Sequence, residues 1–283
     1  MAAVKACNIL ITGANRGLGL ETVKQLLENS CQKHIFATCR DPDGPKSEAL
    51  RELARKHPSV ITIICLDVDD PCSIKESAKK VGSLLGNNGL NLLVNNAAIV
   101  ARGTIHTSRV EDMKNTFNTN VIGPLLIIRE YQPYLQTAAK ASRTPGMSCN
   151  KAAVINISSV AGSMTRKPSN HIQSPVLPYS MSKAGFNMLT VLAAEELKAD
   201  EILCMALHPG WVKTELGGEK EWSASGSGLG FDSTRDIISL GVAIFVCHYC
   251  CVTICSEACG CDTDWCDFSL LHTWCCYIHP LLL

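Results

Sequence analysis

The sequence predicts an α/β fold: a doubly wound parallel sheet in three layers, built by a single folded domain. Three observations predict it. Short apolar runs alternate with amphipathic stretches as far as about residue 215, the pattern of right-handed βαβ units. The runs show little polar alternation, as strands covered on both faces do. The first run leads at once into a glycine-rich turn and then into a stretch with apolar residues at helical spacing.

The elements follow in order. Strands are expected at Asn8–Thr12, His34–Cys39, Val60–Leu66, Leu90–Asn95, Ala152–Ser158 and Ile202–His208. Helices are expected at Leu18–Asn29, Lys46–Lys56, Cys72–Leu85, Val110–Ala138 and Tyr179–Leu197. With 283 residues, 46% of them hydrophobic, the chain is long enough to bury a sizeable core. No internal repeat or low-complexity linker interrupts this part.

Chemistry-bearing residues collect where strands end, which is where open α/β sheets bind ligands. Between the first strand and helix lies Thr12-Gly13-Ala14-Asn15-Arg16-Gly17-Leu18-Gly19. Glycines there let the backbone approach a pyrophosphate, and the helix N-terminus adds amide donors and a positive dipole end; a ligand-free tight turn is the alternative. Asp67 follows the third strand, either to accept hydrogen bonds from an adenine amine and neighbouring amides or as a turn or helix-capping aspartate. Asn95-Asn96-Ala97-Ala98 ends the fourth strand with small residues that let a ligand pass close. Asn120 falls inside a predicted helix, a poor place for asparagine unless its amide has a task.

Tyr179 and Lys183, four residues apart on a helix, share a face. An ammonium beside a phenol lowers the phenol's pKa towards a value useful for proton transfer. Ser159, ending the fifth strand, is then placed to hold a substrate oxygen against that phenol.

Charge and cysteine content bound the function. The 26 basic and 26 acidic residues cancel, so neither nucleic acid nor an anionic membrane surface is expected as a partner. Met1 to Ala6 carry no separate apolar core, so no signal peptide is expected and the location reads as cytoplasmic. Of 16 cysteines, seven are scattered before Lys220 and nine lie between Cys247 and Cys276, a break in composition.

Taken in order, Thr12-Gly-x-x-x-Gly-x-Gly19, Asp67, Asn95-Asn-Ala-Ala98, Asn120, Ser159, Tyr179-x-x-x-Lys183 and Pro209-Gly210 resemble the classical short-chain dehydrogenases/reductases, whose fold is of the Rossmann type. Ile155 to Ser163 and His208-Pro209-Gly210-Trp211-Val212-Lys213-Thr214 make the chain most similar to the carbonyl-reductase branch called C-factor- or sniffer-like. The resemblance implies an oxidoreductase acting on a small carbonyl substrate, and leaves a homo-oligomer open. Tyr179 would protonate the carbonyl oxygen as hydride arrives, and Ser159 would position that oxygen. Lys183 would hold the nicotinamide ribose, and Asn120 would hold a water linking Lys183 to solvent. The cofactor groove would be lined by Gly13, Asn15, Arg16, Gly17, Leu18, Gly19, Asp67, Val68, Asn95 and Ala97, with Pro209, Gly210, Val212 and Thr214 at the nicotinamide end. No metal is implied.

Charge then selects the cofactor. An acid at the end of the second strand suits the ribose hydroxyls of NAD, whereas a 2′-phosphate calls for arginine. Here that strand ends in Cys39-Arg40, and Arg16 lies in the glycine turn. Two guanidiniums suit a phosphate dianion, so NADPH is expected over NADH and reduction over oxidation. Asp41 and Asp43, slightly later, could instead pair with the arginines.

Three departures stand out. Ala98 replaces the family's usual glycine. The twenty positions from Ser159 to Tyr179 exceed the family's usual step, and Met164 to Pro178 would absorb the excess, either shaping the substrate pocket or as a tolerated surface insertion. The domain is expected to span 1–220, and 221–283 is an atypical cysteine-rich segment in place of the family's final helix and strand. Zinc binding through Cys247-x-x-Cys250, a membrane anchor and an aberrant C-terminus are the readings for it, while a disulfide scaffold conflicts with a cytosolic body. A catalytically impaired nucleotide-binding protein is the alternative function if that segment disables the pocket.

Overall fold

The computed structural model describes residues 8–28, 34–143, 146–164 and 175–209. Six strands form one parallel sheet: β1 (Asn8–Ile11), β2 (His34–Cys39), β3 (Ile61–Cys65), β4 (Leu92–Asn95), β5 (Ala153–Ile157) and β6 (Leu203–Leu207). Their spatial order is β3-β2-β1-β4-β5-β6. Each expected strand is present; β2 has the expected bounds, and the others are shorter by a residue or two at one or both ends. The order reverses between β1 and β4, whose C-terminal ends therefore flank the crevice of the sheet.

Strand residues alternate between two apolar layers. Leu10, Phe36, Ile64, Leu93 and Val154 point to one side, where α3 (Pro71–Leu85), α5 (Gly123–Ala141) and α6 (Leu177–Glu196) cover them. Ile9, Ile11, Ile35, Ala37 and Val94 point to the other, beneath α1 (Gly17–Glu28) and α2 (Glu48–Lys56). Fully burying each large side chain contributes about 1.5–3 kcal/mol. At the far end of the second layer Ile155, Ile157 and Leu203 are only half-buried. Among the described residues β6 pairs with β5 alone. The expectations for 221–283 and for a missing or replaced final strand lie outside the described residues. No described helix is long and apolar enough to cross a membrane.

The helix expected over 110–138 differs in an informative way. It opens as α4 (Val110–Phe117), passes through a wide π turn at Asn118–Ile122, and continues as α5 to Ala141. Pro124 has no N–H, so the α-helical partner of the Asn120 carbonyl does not exist. The extra residue of the turn swings Asn120 inward, and such bulges concentrate at functional sites. Gly123 is required there, because a Cβ would lie 2.4 Å from the Val68 carbonyl oxygen. Thr119 Oγ1 donates to the Asp69 carboxylate at 2.8 Å, fixing the turn against the loop after β3.

Candidate active site

At the crevice the ends of β1 and β4 are stitched together. The Asn96 and Ala97 amides donate to Thr12 Oγ1 at 2.9 and 3.0 Å, and Asn96 Nδ2 donates to the Thr12 and Gly13 carbonyls. Gly13 and Gly17 hold φ of +63° and +52°, which L side chains rarely adopt. A Cβ on Gly19 would lie 2.3 Å from the Gly13 carbonyl oxygen, so α1 packs onto the turn only because that side chain is absent. Asn15 Nδ2 reaches the Lys46 carbonyl and Ser47 Oγ, both at 3.4 Å, tying the turn to the start of α2.

Polar groups around this cradle fit a phosphate-bearing nucleotide. The first turn of α1 has no acidic residue, Leu18 is half-buried within it, and Arg16 and Arg40 are both exposed. Asp41 accepts from the Gly44 amide at 2.9 Å, closing its own turn. Neither it nor Asp43 pairs with Arg40 among the described residues. Asp67 is half-buried; its carboxylate accepts from the Asp69 amide at 3.1 Å, while Asp70 is the residue that caps α3. Asn95 is 2% exposed and donates to Asn156 Oδ1 at 2.8 Å, while its own Oδ1 is a buried acceptor with no described partner.

The reacting groups gather at the end of β5. Ser159, just past the strand, accepts from the Ala161 amide at 3.2 Å through Oγ, and its hydroxyl opposes the upward shift of the Tyr179 phenol. Tyr179 lies in the first turn of α6, and Lys183 one turn on, its Nζ 5.6 Å from the Tyr179 ring centroid and 4.9 Å from that of Phe186. Lys183 is 2% exposed and donates to the Ile157 carbonyl at 2.7 Å. Burial alone lowers its amine to about 7, because desolvation disfavours the charged form.

Burial pushes the Tyr179 phenol up and the Lys183 amine down, and the Ser159 hydroxyl opposes the first of these shifts. The Asn120 side chain is held by protein groups: its Oδ1 accepts from the Ile99 amide, and its Nδ2 donates to the Ile99 carbonyl and to Ser182 Oγ, all at 2.9 Å. Pro209 is the last described residue after β6, and Gly210, Val212 and Thr214 lie outside the described residues, as does most of the Met164–Pro178 segment.

Sequence reasoning missed a buried polar network on α6. Asn156 Nδ2 donates to Thr190 Oγ1 at 2.9 Å, Ser158 Oγ donates to Asn187 Oδ1, and Asn187 Nδ2 reaches the Gly162 carbonyl at 3.4 Å. The available signal was the polar stripe Tyr179, Ser182, Lys183, Asn187, Thr190 at helical spacing, while apolar residues of the same helix, Met181, Met188 and Leu192, face outward.

Comparison with known proteins decides the family. A family model described as short chain dehydrogenase matches residues 7–225. The chain is a short-chain dehydrogenase. This short-chain dehydrogenase is 45% identical to the NADPH-bound carbonyl reductase from chicken fatty liver, with a TM-score of 0.75 over 78% of this chain and 82% of that one. The carbonyl reductase Sniffer of D. melanogaster is 34% identical, with a TM-score of 0.71 over 76% of this chain and 84% of that one. The short-chain dehydrogenase anuI of Penicillium roqueforti is 30% identical over 223 residues, 77% of this chain and 83% of its own.

Proposed function

We propose that this dehydrogenase reduces a ketone or aldehyde to an alcohol with NADPH, Tyr179 supplying the proton. The observation that carries the reading is the buried Lys183 one helical turn from Tyr179, its Nζ 5.6 Å from the phenol ring centroid and bonded to the Ile157 carbonyl at the end of β5. When bound, the reduced nicotinamide supplies the hydride. The chain's own residues bind, orient and protonate. Gly13, Gly17 and Gly19 admit the pyrophosphate, Arg16 and Arg40 meet the 2′-phosphate, and Asp67, Val68, Asn95 and Ala97 line the groove. Pro209, Gly210, Val212 and Thr214 complete its nicotinamide end. Ser159 holds the carbonyl oxygen within reach of the Tyr179 hydroxyl, which gives up its proton as the oxygen gains charge. Lys183 orients the ribose, and Asn120 keeps the loop after β4 in place.

The similarity to an NADPH-bound carbonyl reductase supports the cofactor choice. The domain would then span 1–220 and work in the cytoplasm on a small molecule. Tyr179→Phe is expected to abolish NADPH oxidation across a carbonyl panel, at least a hundredfold, while leaving NADPH binding by fluorescence within about threefold. Turnover retained in that variant rules the assignment out. NADPH binding without turnover in the wild type favours a nucleotide-binding protein instead.

A further inference from the structure

The first turn of α6 carries Tyr179 without an N-cap of its own. Val176, at the cap position, makes no side-chain cap hydrogen bond, and the turn begins with Leu177-Pro178. Uncapped first turns fray, since their N–H groups have no partners within the helix. This one is held from outside. The Leu177 amide donates to the Gly103 carbonyl, and the Gly103 amide to that of Pro175, at 3.0 and 2.9 Å. The second restraint is Ser182, which is 0% exposed. Its hydroxyl donates to the Tyr179 carbonyl at 2.7 Å and accepts from Asn120 Nδ2 at 2.9 Å. Asn120 in turn grips both backbone groups of Ile99.

We propose that Ser182 is a positioning residue: through its hydroxyl it locks the backbone of Tyr179 to Asn120 and so fixes the phenol relative to Ser159. The inference rests on the reductase reading above but adds a residue to it. Ser182 touches neither substrate nor cofactor in that reading. Its effect travels through one carbonyl, that of the residue that gives the proton. The chain of contacts is short and rigid. Asn120 is 1% exposed and bonded at both ends of its amide, so it cannot follow if α6 shifts. Ser182 hands that rigidity to Tyr179 directly. A hydroxyl that donates back to a carbonyl of the preceding turn also tends to bend the helix there.

The test compares Ser182→Ala and Ser182→Thr in the full chain. Measured quantities are kcat and KM for a reduced carbonyl, the NADPH Kd by fluorescence, and the melting temperature. Small displacements of a reacting group cost about ten- to a hundredfold in rate. Ser182→Ala is therefore expected to lose about that much in kcat, with the NADPH Kd and carbonyl KM within about threefold of wild type. Ser182→Thr, which keeps the hydroxyl, is expected to recover most of the lost kcat. Unchanged kcat in Ser182→Ala overturns the inference, and so does a loss in which kcat and NADPH binding fall together or which Thr fails to recover in a protein that still binds NADPH. A wild type that binds NADPH but reduces no carbonyl overturns the reductase reading first, and this inference with it.

Discussion

Lys183 provides a test that needs no substrate. Its amine is lowered from 10.5 to about 7 by burial, while in the unfolded chain it keeps the ordinary value. Between those limits the unfolded chain binds the proton that the folded chain has lost, so stability rises with pH. Below about pH 7 both states are protonated, and the fold carries the full cost of a buried charge. The whole shift corresponds to about 5 kcal/mol at 1.36 kcal/mol per unit. From about pH 7 to about pH 8.5 the gain is about 1.6 kcal/mol, since half the protons have already left at the lower limit. The window stops there because Cys39, Cys149 and Cys204, raised from 9.0 by burial, oppose the trend at higher pH. Lys183→Met removes the titrating group at similar length. Its lost bond to Ile157 adds a constant offset, not a slope. Urea unfolding followed by far-ultraviolet circular dichroism across the window should show wild type gaining about 1.6 kcal/mol on the variant. Parallel profiles would refute the reasoning, because they would mean that the buried amine keeps its ordinary pKa.

Two further outcomes test the cofactor cradle. Arg40→Ala should raise the NADPH Kd about tenfold or more, as expected for losing a charged hydrogen bond to phosphate, and leave the NADH Kd within about twofold in the same fluorescence titration. Gly19→Ala would place a Cβ 2.3 Å from the Gly13 carbonyl oxygen and 2.7 Å from Asn96 Nδ2; it should destabilise the fold by about 1–3 kcal/mol and weaken both nucleotides together, read as a lowered melting temperature and raised Kd values.

The sheet was legible because buried parallel strands are continuous apolar runs, and the runs from Asn8 to Leu207 register as such whatever surrounds them. The glycine turn was legible because positive φ at Gly13 and Gly17 constrains residue type at fixed spacing. The helix period also put Tyr179 and Lys183 on one face, as observed. The π turn at Asn118–Ile122 was not legible. Asparagine inside a helix signalled that something was required of it, but the partner is the Ile99 backbone, and a tertiary contact leaves no periodic trace. Ser182 and Asn187 were hidden for the opposite reason. Polar residues on an amphipathic helix read as its solvent face until packing shows that face to be covered, here by the π turn and the 160–162 turn. Gly162 makes the second of these contacts close, since a Cβ there would lie 2.5 Å from the Lys183 carbonyl carbon.

The resting protonation of the proposed donor follows from the same burial that lowers Lys183. A phenol raised above 10.0 by desolvation holds its proton through neutral pH, which is the state required of a donor to a developing alkoxide. A base that takes a proton from an alcohol would instead need the phenolate, and that needs a permanent cation close by. In the free protein the Lys183 amine, lowered to about 7 by burial, is only partly charged at neutral pH, and one of its N–H groups donates to the Ile157 carbonyl. Ser159 tempers the phenol without ionising it. In the free protein Tyr179 therefore rests as the neutral phenol, the form a carbonyl reduction consumes. The same residue would serve the reverse oxidation once ionised, so the direction under working conditions would be set by the balance of reduced to oxidised cofactor. The exposed Arg16 and Arg40 bear on it only through the choice of a phosphorylated cofactor.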